Sequence, residues 1–231
     1  MIEGHISKAF DGALMALHLR VIEMGGLALD QVREAALAYT EWDATAARRV
    51  MEREHTVNRY DESIDAEQLT LIARRQPVAS DLRAIIAISK IVADLERVGD
   101  EAAKIARTVL RVRGSRPGPA TARDARHLAQ LAVSLLRMSL EALDRIDLPM
   151  AREVIARDRE LDEEYAAGLR RLLTRAMEDP RHFDVALEAA FVLKSLERIG
   201  DHARNLGRHI EAIGQERGTA PEATAATTQS S

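Results

Sequence analysis

Cysteine is absent from the 231 residues, which removes disulfides, zinc–thiolate centres and thiol nucleophiles from consideration. Aromatic residues are scarce, at 3% with Trp42 the lone tryptophan, so a core must be packed from Ala, Leu, Ile and Val. Small aliphatic side chains of that kind suit closely spaced helices. A basic excess is also missing: 33 Lys and Arg stand against 37 Asp and Glu, a formal net charge of -4. A chain that grips nucleic acid through its phosphates needs the opposite balance, so no nucleic-acid partner is expected. No uncharged apolar run approaches the roughly 18–20 residues of a membrane-spanning helix. The first residues interrupt their apolar content with Glu3, His5, Lys8 and Asp11, which leaves no signal-peptide core. A cytoplasmic location without membrane insertion is therefore expected. What is present is 46% hydrophobic residues, ample for a sizeable core.

Apolar residues recur at three- and four-residue spacing almost throughout, and no stretch alternates convincingly, so the fold class is all-α. Helices are predicted near 5–39, 43–75, 79–113, 120–146, 148–178 and 181–213. Asp43 can cap the second, Pro77 disfavours helix at Gln76, and Asp147 with Pro149 reads as an N-cap followed by proline in the first turn. GSRPGP at 114–119 is the one obvious mid-chain linker, and the last residues lack periodicity. The organisation read from these signals is a bundle over 1–113, a linker at 114–119, a second bundle over 120–214 and an unstructured tail at 215–231.

The two halves resemble each other. LERVGD at 95–100 returns as LERIGD at 196–201, and DATAARRVMERE at 43–54 aligns with DLPMAREVIARD at 147–158. Two tandem, sequence-related three-helix bundles, six helices in all, follow.

The repeated motif carries the chemistry. Glu96 and Asp100 are four residues apart, as are Glu197 and Asp201, which places each pair on one helix face roughly 40° apart. On a helical wheel the first pair falls on the shoulder of an apolar arc containing Ile88, Val92, Leu95 and Ile105. Gly99 lies inside that arc, where a missing side chain lets another helix approach, and Lys90, Arg97 and Glu101 take the solvent face. Asp158 and Asp162 on the fifth helix match Glu54 and Asn58 on the second, so three or four oxygen donors can meet in each groove between helices. All-oxygen sites suit hard or intermediate cations such as Mg, Mn, Fe or Ca. Asn58 in place of Asp162 makes the first groove the one expected to be poorer in charge. The bland reading is a pair of solvated flanks partly neutralised by Lys104, Lys194 and Arg204. Glu52-x-x-His55 is not repeated in the second half, which argues against a ferritin-like centre. His202 reads as a flank residue, and His209 belongs to no ligand set.

The doubled LER[VI]GD resembles the repeated acidic motif of the PhoU family. So do RRVMEREHTVNRYDESID at 48–65, residues 71–107 and HISKAF near the start, together spanning about 3–213. The resemblance implies metal ions held by Glu96, Asp100, Glu197 and Asp201, with Glu54, Asp158 and Asp162 as partners. It further implies a non-enzymatic negative regulator of phosphate-starvation genes, a homodimer that contacts a phosphate transporter's ATPase and a membrane sensor histidine kinase. Arg74, Arg75, Asp81 and Arg83, at the tip between the second and third helices, are the expected partner surface. A carboxylate-bridged metalloprotein or metal store without a signalling role is the rival reading.

Overall fold

A computed structural model describes the backbone of residues 3–77, 79–111, 116–179, 181 and 183–218 and the side chains over most of that span. Among the described residues there are six α-helices and no strand: α1 Glu3–Glu41, α2 Ala44–Arg75, α3 Ala79–Leu110, α4 Pro119–Arg145, α5 Leu148–Glu178 and α6 Phe183–Gly218. Helix α3 stops at Leu110 rather than 113, and α6 runs past 213 to Gly218, the last described residue. Of the expected linker, 114 and 115 lie outside the described residues and Pro119 already opens α4. Of the expected tail, 215–218 belong to α6 and 219–231 lie outside the described residues.

Local chemistry sets the boundaries. The Asp43 carboxylate accepts from the amides of Thr45 and Ala46 at the start of α2, and Asp147 accepts from Met150 at the start of α5. The residues just before these caps, Trp42 and Ile146, both adopt left-handed backbone conformations, with φ of 59° and 51°. In each turn the cap amide reaches back five residues, Asp43 to the Ala38 carbonyl and Asp147 to that of Ala142. The same turn is built twice. Gln76, ahead of Pro77, leaves the helix with a φ of 44°.

Each repeat is three mutually packed helices, and the repeats join through α1 on α4 and α3 on α6, leaving α2 and α5 outermost. The hydrophobic core is continuous across that junction, from Val21 and Ile91 in one repeat to Leu136 and Leu196 in the other. Glycines mark the closest helix approaches. A Cβ on Gly25 would run into Leu140, so α1 lies tight against α4. A Cβ on Gly99 would meet Val57, and one on Gly200 would meet Leu161, the matching residue, so both motif glycines serve the same crossing.

Helix α1 is the one stretch among the described residues long and apolar enough to cross a membrane, which the sequence reading did not single out. Its apolar content has another use here. Leu17, Val21, Met24, Ala28, Val32 and Ala35 are buried in the core, while Arg20 bonds Glu67 and Ser63 of α2.

Helices α5 and α6 approach closely where a Cβ on Gly207 would stand 2.9 Å from the Ala151 carbonyl oxygen. Gly207→Ala is expected to cost about 1 kcal/mol, the steric penalty outweighing the gain in helix propensity. Thermal melting checks this, and a raised melting temperature would mean that α5 and α6 separate freely.

Candidate functional site

In the first repeat the structure brings Glu96 and Asp100 of α3 toward Asp61 and Glu54 of α2. Burial pushes the Glu96 carboxyl above its usual range, reinforced by the charges of Asp100 and Asp61. Asp61 is raised by its own burial and by Asp65 and Glu62. Glu54 is buried and bonds Arg107 at 2.7 Å. No ion pair among the described residues reaches Glu96, Asp100 or Asp61, and Lys104, one helical turn beyond Asp100, turns to Glu101 instead. Asp61 was overlooked in the sequence because its counterpart in the second repeat is Tyr165.

The second groove is different. Asp158 is buried and bonds Arg204, whose guanidinium also lies 2.7 Å from Asp201. Burial raises the Asp158 carboxyl despite that pairing, while the surrounding acids hold Arg204 firmly charged against its own desolvation. Glu197 takes Lys194 at 2.5 Å, and the Lys194 ammonium also sits over the Tyr165 ring. Asp162 is exposed. The expectation that the first groove is poorer in charge is therefore reversed. Asp61 adds an acid to the first, and Arg204 and Lys194 neutralise the second; their counterparts in the first repeat are Ala103 and Ala93.

As placed, no three His, Asp or Glu side chains among the described residues converge closely enough to hold an ion. The first groove has the donor chemistry for a hard divalent cation, with acids that lack a bonded counter-ion. The second does not fit, because a guanidinium already bridges the two helices that a metal would bridge.

Between the repeats lies a cluster that sequence reasoning missed. Asp94 is only 4% exposed and faces α6, where His202 Nδ1 lies 2.8 Å from Oδ1 and His209 Nε2 lies 3.2 Å from Oδ2. Asn205 donates to Oδ1 as well. Burial alone would raise the Asp94 carboxyl, but these hydrogen bonds hold it well below the ordinary carboxylate range. Glu101, expected on the solvent face, is buried and bonds Lys104 and Arg198. Its carboxyl is likewise depressed against burial by Lys104, Ser195 and Arg198. The reason is that α3 buries a second face against α6. Asp94 matches Ser195 and Glu101 matches His202, so Asp94·His202 and Ser195·Glu101 are one contact related by the pseudo-twofold axis. The signal for His202 and His209 was their seven-residue spacing, two turns on one face of α6. Asp100 and Asp201 both open onto a cleft of about 490 Å³ astride that axis, rimmed by Arg97, Lys104, Arg198 and Arg204.

The PhoU domain model matches the chain twice, over residues 21–109 and 125–210. The chain belongs to the PhoU family. It is 42% identical over 206 residues to a phosphate-specific transport system accessory protein PhoU homolog of Pseudomonas putida, covering 89% of this chain and 80% of that one. The Escherichia coli K12 phosphate-specific transport system accessory protein PhoU is 37% identical, over 89% and 85%. Among solved structures, PhoU from Pseudomonas aeruginosa superposes with a TM-score of 0.85 at 40% identity, covering 91% of this chain and all of that one. The phosphate transport system regulatory protein PhoU from Streptococcus pneumoniae superposes at 0.79 with 25% identity, over 89% and 96%. The family's two-repeat, all-helical organisation is the one seen here.

Proposed function

We propose that the chain is a cytoplasmic accessory regulator of phosphate-specific transport that keeps phosphate-starvation signalling down when phosphate is plentiful. The observation that carries this reading is the doubled PhoU domain, with 37–42% identity across 89% of the chain to proteins named as accessory to that transport system. For this chain the partners are the transporter's ATPase and a membrane sensor histidine kinase, and the working form is a homodimer. Its task is to hold partners rather than to make or break bonds.

An apolar groove of about 520 Å³ between α1 and α2, lined by Leu17 and Leu71 and rimmed by Arg74, supports a docking role for the α2–α3 tip. Arg74 and Arg83 of the expected partner surface are exposed and Asp81 is half-buried, while the Arg75 side chain lies outside the described residues. Charges on such a rim tune recognition and association rate more than fold. A divalent cation, Mg, Mn or Fe, is assigned to the first groove, where Glu96 and Asp100 would hold it with help from Asp61 and Glu54. Held there, a cation would offset the crowding of these acids between α2 and α3.

Deleting the gene from its host is expected to leave phosphate-starvation genes on in rich phosphate and to let phosphate accumulate. Transcript levels of those genes in high phosphate are the measurement, together with capture of the transporter ATPase on the tagged chain. Normal repression in the deletion strain, with no second copy of the gene, sinks the regulatory reading.

A further inference from the structure

We infer that Arg204 is the resident cation of the second motif groove, standing where a divalent ion would bridge α5 and α6, so that the two copies of the motif are unequal sites. This rests on the proposed reading of the first groove as a metal site, and it adds which groove is closed and by what.

Three observations carry it. Arg204 bonds a buried acid of α5, Asp158, and at the same time the motif acid of α6, Asp201, so one guanidinium spans the two helices. A second cation, Lys194, holds the other motif acid, Glu197. The same positions in the first repeat carry Ala103 and Ala93, where neither side chain bears charge, and the groove gains Asp61 where the second repeat has Tyr165. Arg107 does reach Glu54 in the first repeat, but it leaves Glu96, Asp100 and Asp61 unbonded. Its own counterpart, Arg208, is exposed.

The second groove is also imperfectly satisfied. Asp158 Oδ1 and Arg204 Nε are buried without a hydrogen-bond partner. A guanidinium spreads its charge over a plane and cannot fill the coordination shell that a metal would complete, so groups left over are the expected mark of such a substitution. To enter, a divalent ion would have to displace a charge that two acids hold in a partly desolvated groove, and like charges at that range repel strongly there.

Mn2+ is the probe. The full chain, stripped by chelation, is titrated calorimetrically, with bound Mn2+ counted by electron paramagnetic resonance. The parent is expected to fill one groove, and Glu96→Gln with Asp100→Asn is expected to abolish that binding. Arg204→Ala, which installs the residue found at 103, is expected to gain a second binding event and to tighten that groove at least tenfold. Adding Asp201→Asn removes the gain. Ala103→Arg, the reciprocal change, is expected to close the first groove. Circular dichroism and melting without Mn2+ verify folding, and Arg204→Gln replaces Arg204→Ala if the latter does not fold. A parent that already fills both grooves, or an Arg204→Ala chain that binds no more Mn2+ than the parent, overturns the inference while leaving the first groove as a metal site. A parent that binds none while Arg204→Ala binds one supports Arg204 as the resident cation and overturns the metal reading of the first groove. No binding by any variant overturns both.

Discussion

Asp94→Ala is expected to lower the unfolding free energy by about 3 kcal/mol, the largest single-residue effect anticipated outside the apolar core. The carboxylate is buried and takes hydrogen bonds from two histidines and an asparagine on α6. Removing it leaves three donors facing a hole at the junction of the repeats, and hydrogen bonds to a charged group are each worth more than neutral ones. For a chain of this length, that corresponds to a fall in melting temperature on the order of 10 °C. Asp94→Asn keeps the shape and gives up the charge, and about half the loss is expected. Calorimetric melting of both variants measures it. If Asp94→Ala falls by less than about 1 kcal/mol, the histidines do as well with water, and the cluster does not fasten the repeats.

The second large effect is a contrast in sign between matched double variants studied without metal. Glu96→Gln with Asp100→Asn is expected to stabilise the chain by about 0.5 kcal/mol, because two neighbouring acids without a bonded counter-ion no longer repel. Glu197→Gln with Asp201→Asn is expected to destabilise it by about 1.5 kcal/mol. Here the acids are partnered, so their removal strips Lys194 of its bond and leaves Arg204 with Asp158 alone. Denaturant unfolding after chelation supplies both values. Shifts of the same sign would mean that the cations of the second groove contribute nothing there.

Much of this architecture is legible in the chain before any coordinates are seen. Asp43 and Asp147 announce helix starts because a carboxylate two or three residues ahead of free amides is their natural acceptor, and both accept there. The recurrence of LER[VI]GD places two like crossings, and Gly99 and Gly200 do lie at them. A helical wheel fails where a helix buries two faces. It put Glu101 toward water because one apolar arc accounted for the core of its own repeat, whereas α6 of the other repeat covers the flank beside that arc. Ion pairing between helices is hidden for a related reason. Arg204 is adjacent in sequence to nothing that marks its choice of Asp158, 46 residues away. Only the packing of α5 on α6 sets that direction. Asp61 leaves no mark in the repeat pattern, because the second copy carries Tyr165 at its place.

The unlike contacts on the pseudo-twofold axis say something about why the two units share a single chain. A dimer of identical units must present the same residue twice across its axis. Two copies of the first unit would set Asp94 against the partner unit's Glu101 position, two acids side by side with only Lys104 and Arg97, at the places of Asn205 and Arg198, to divide between them. Two copies of the second would set serine against histidine, a mild and tolerant match. Joining two unlike units lets one side of the axis keep an acid and the other the histidines that answer it. The contact between the halves is thus heterotypic although their folds are alike: the acid of the first half is met by histidines that only the second half carries there.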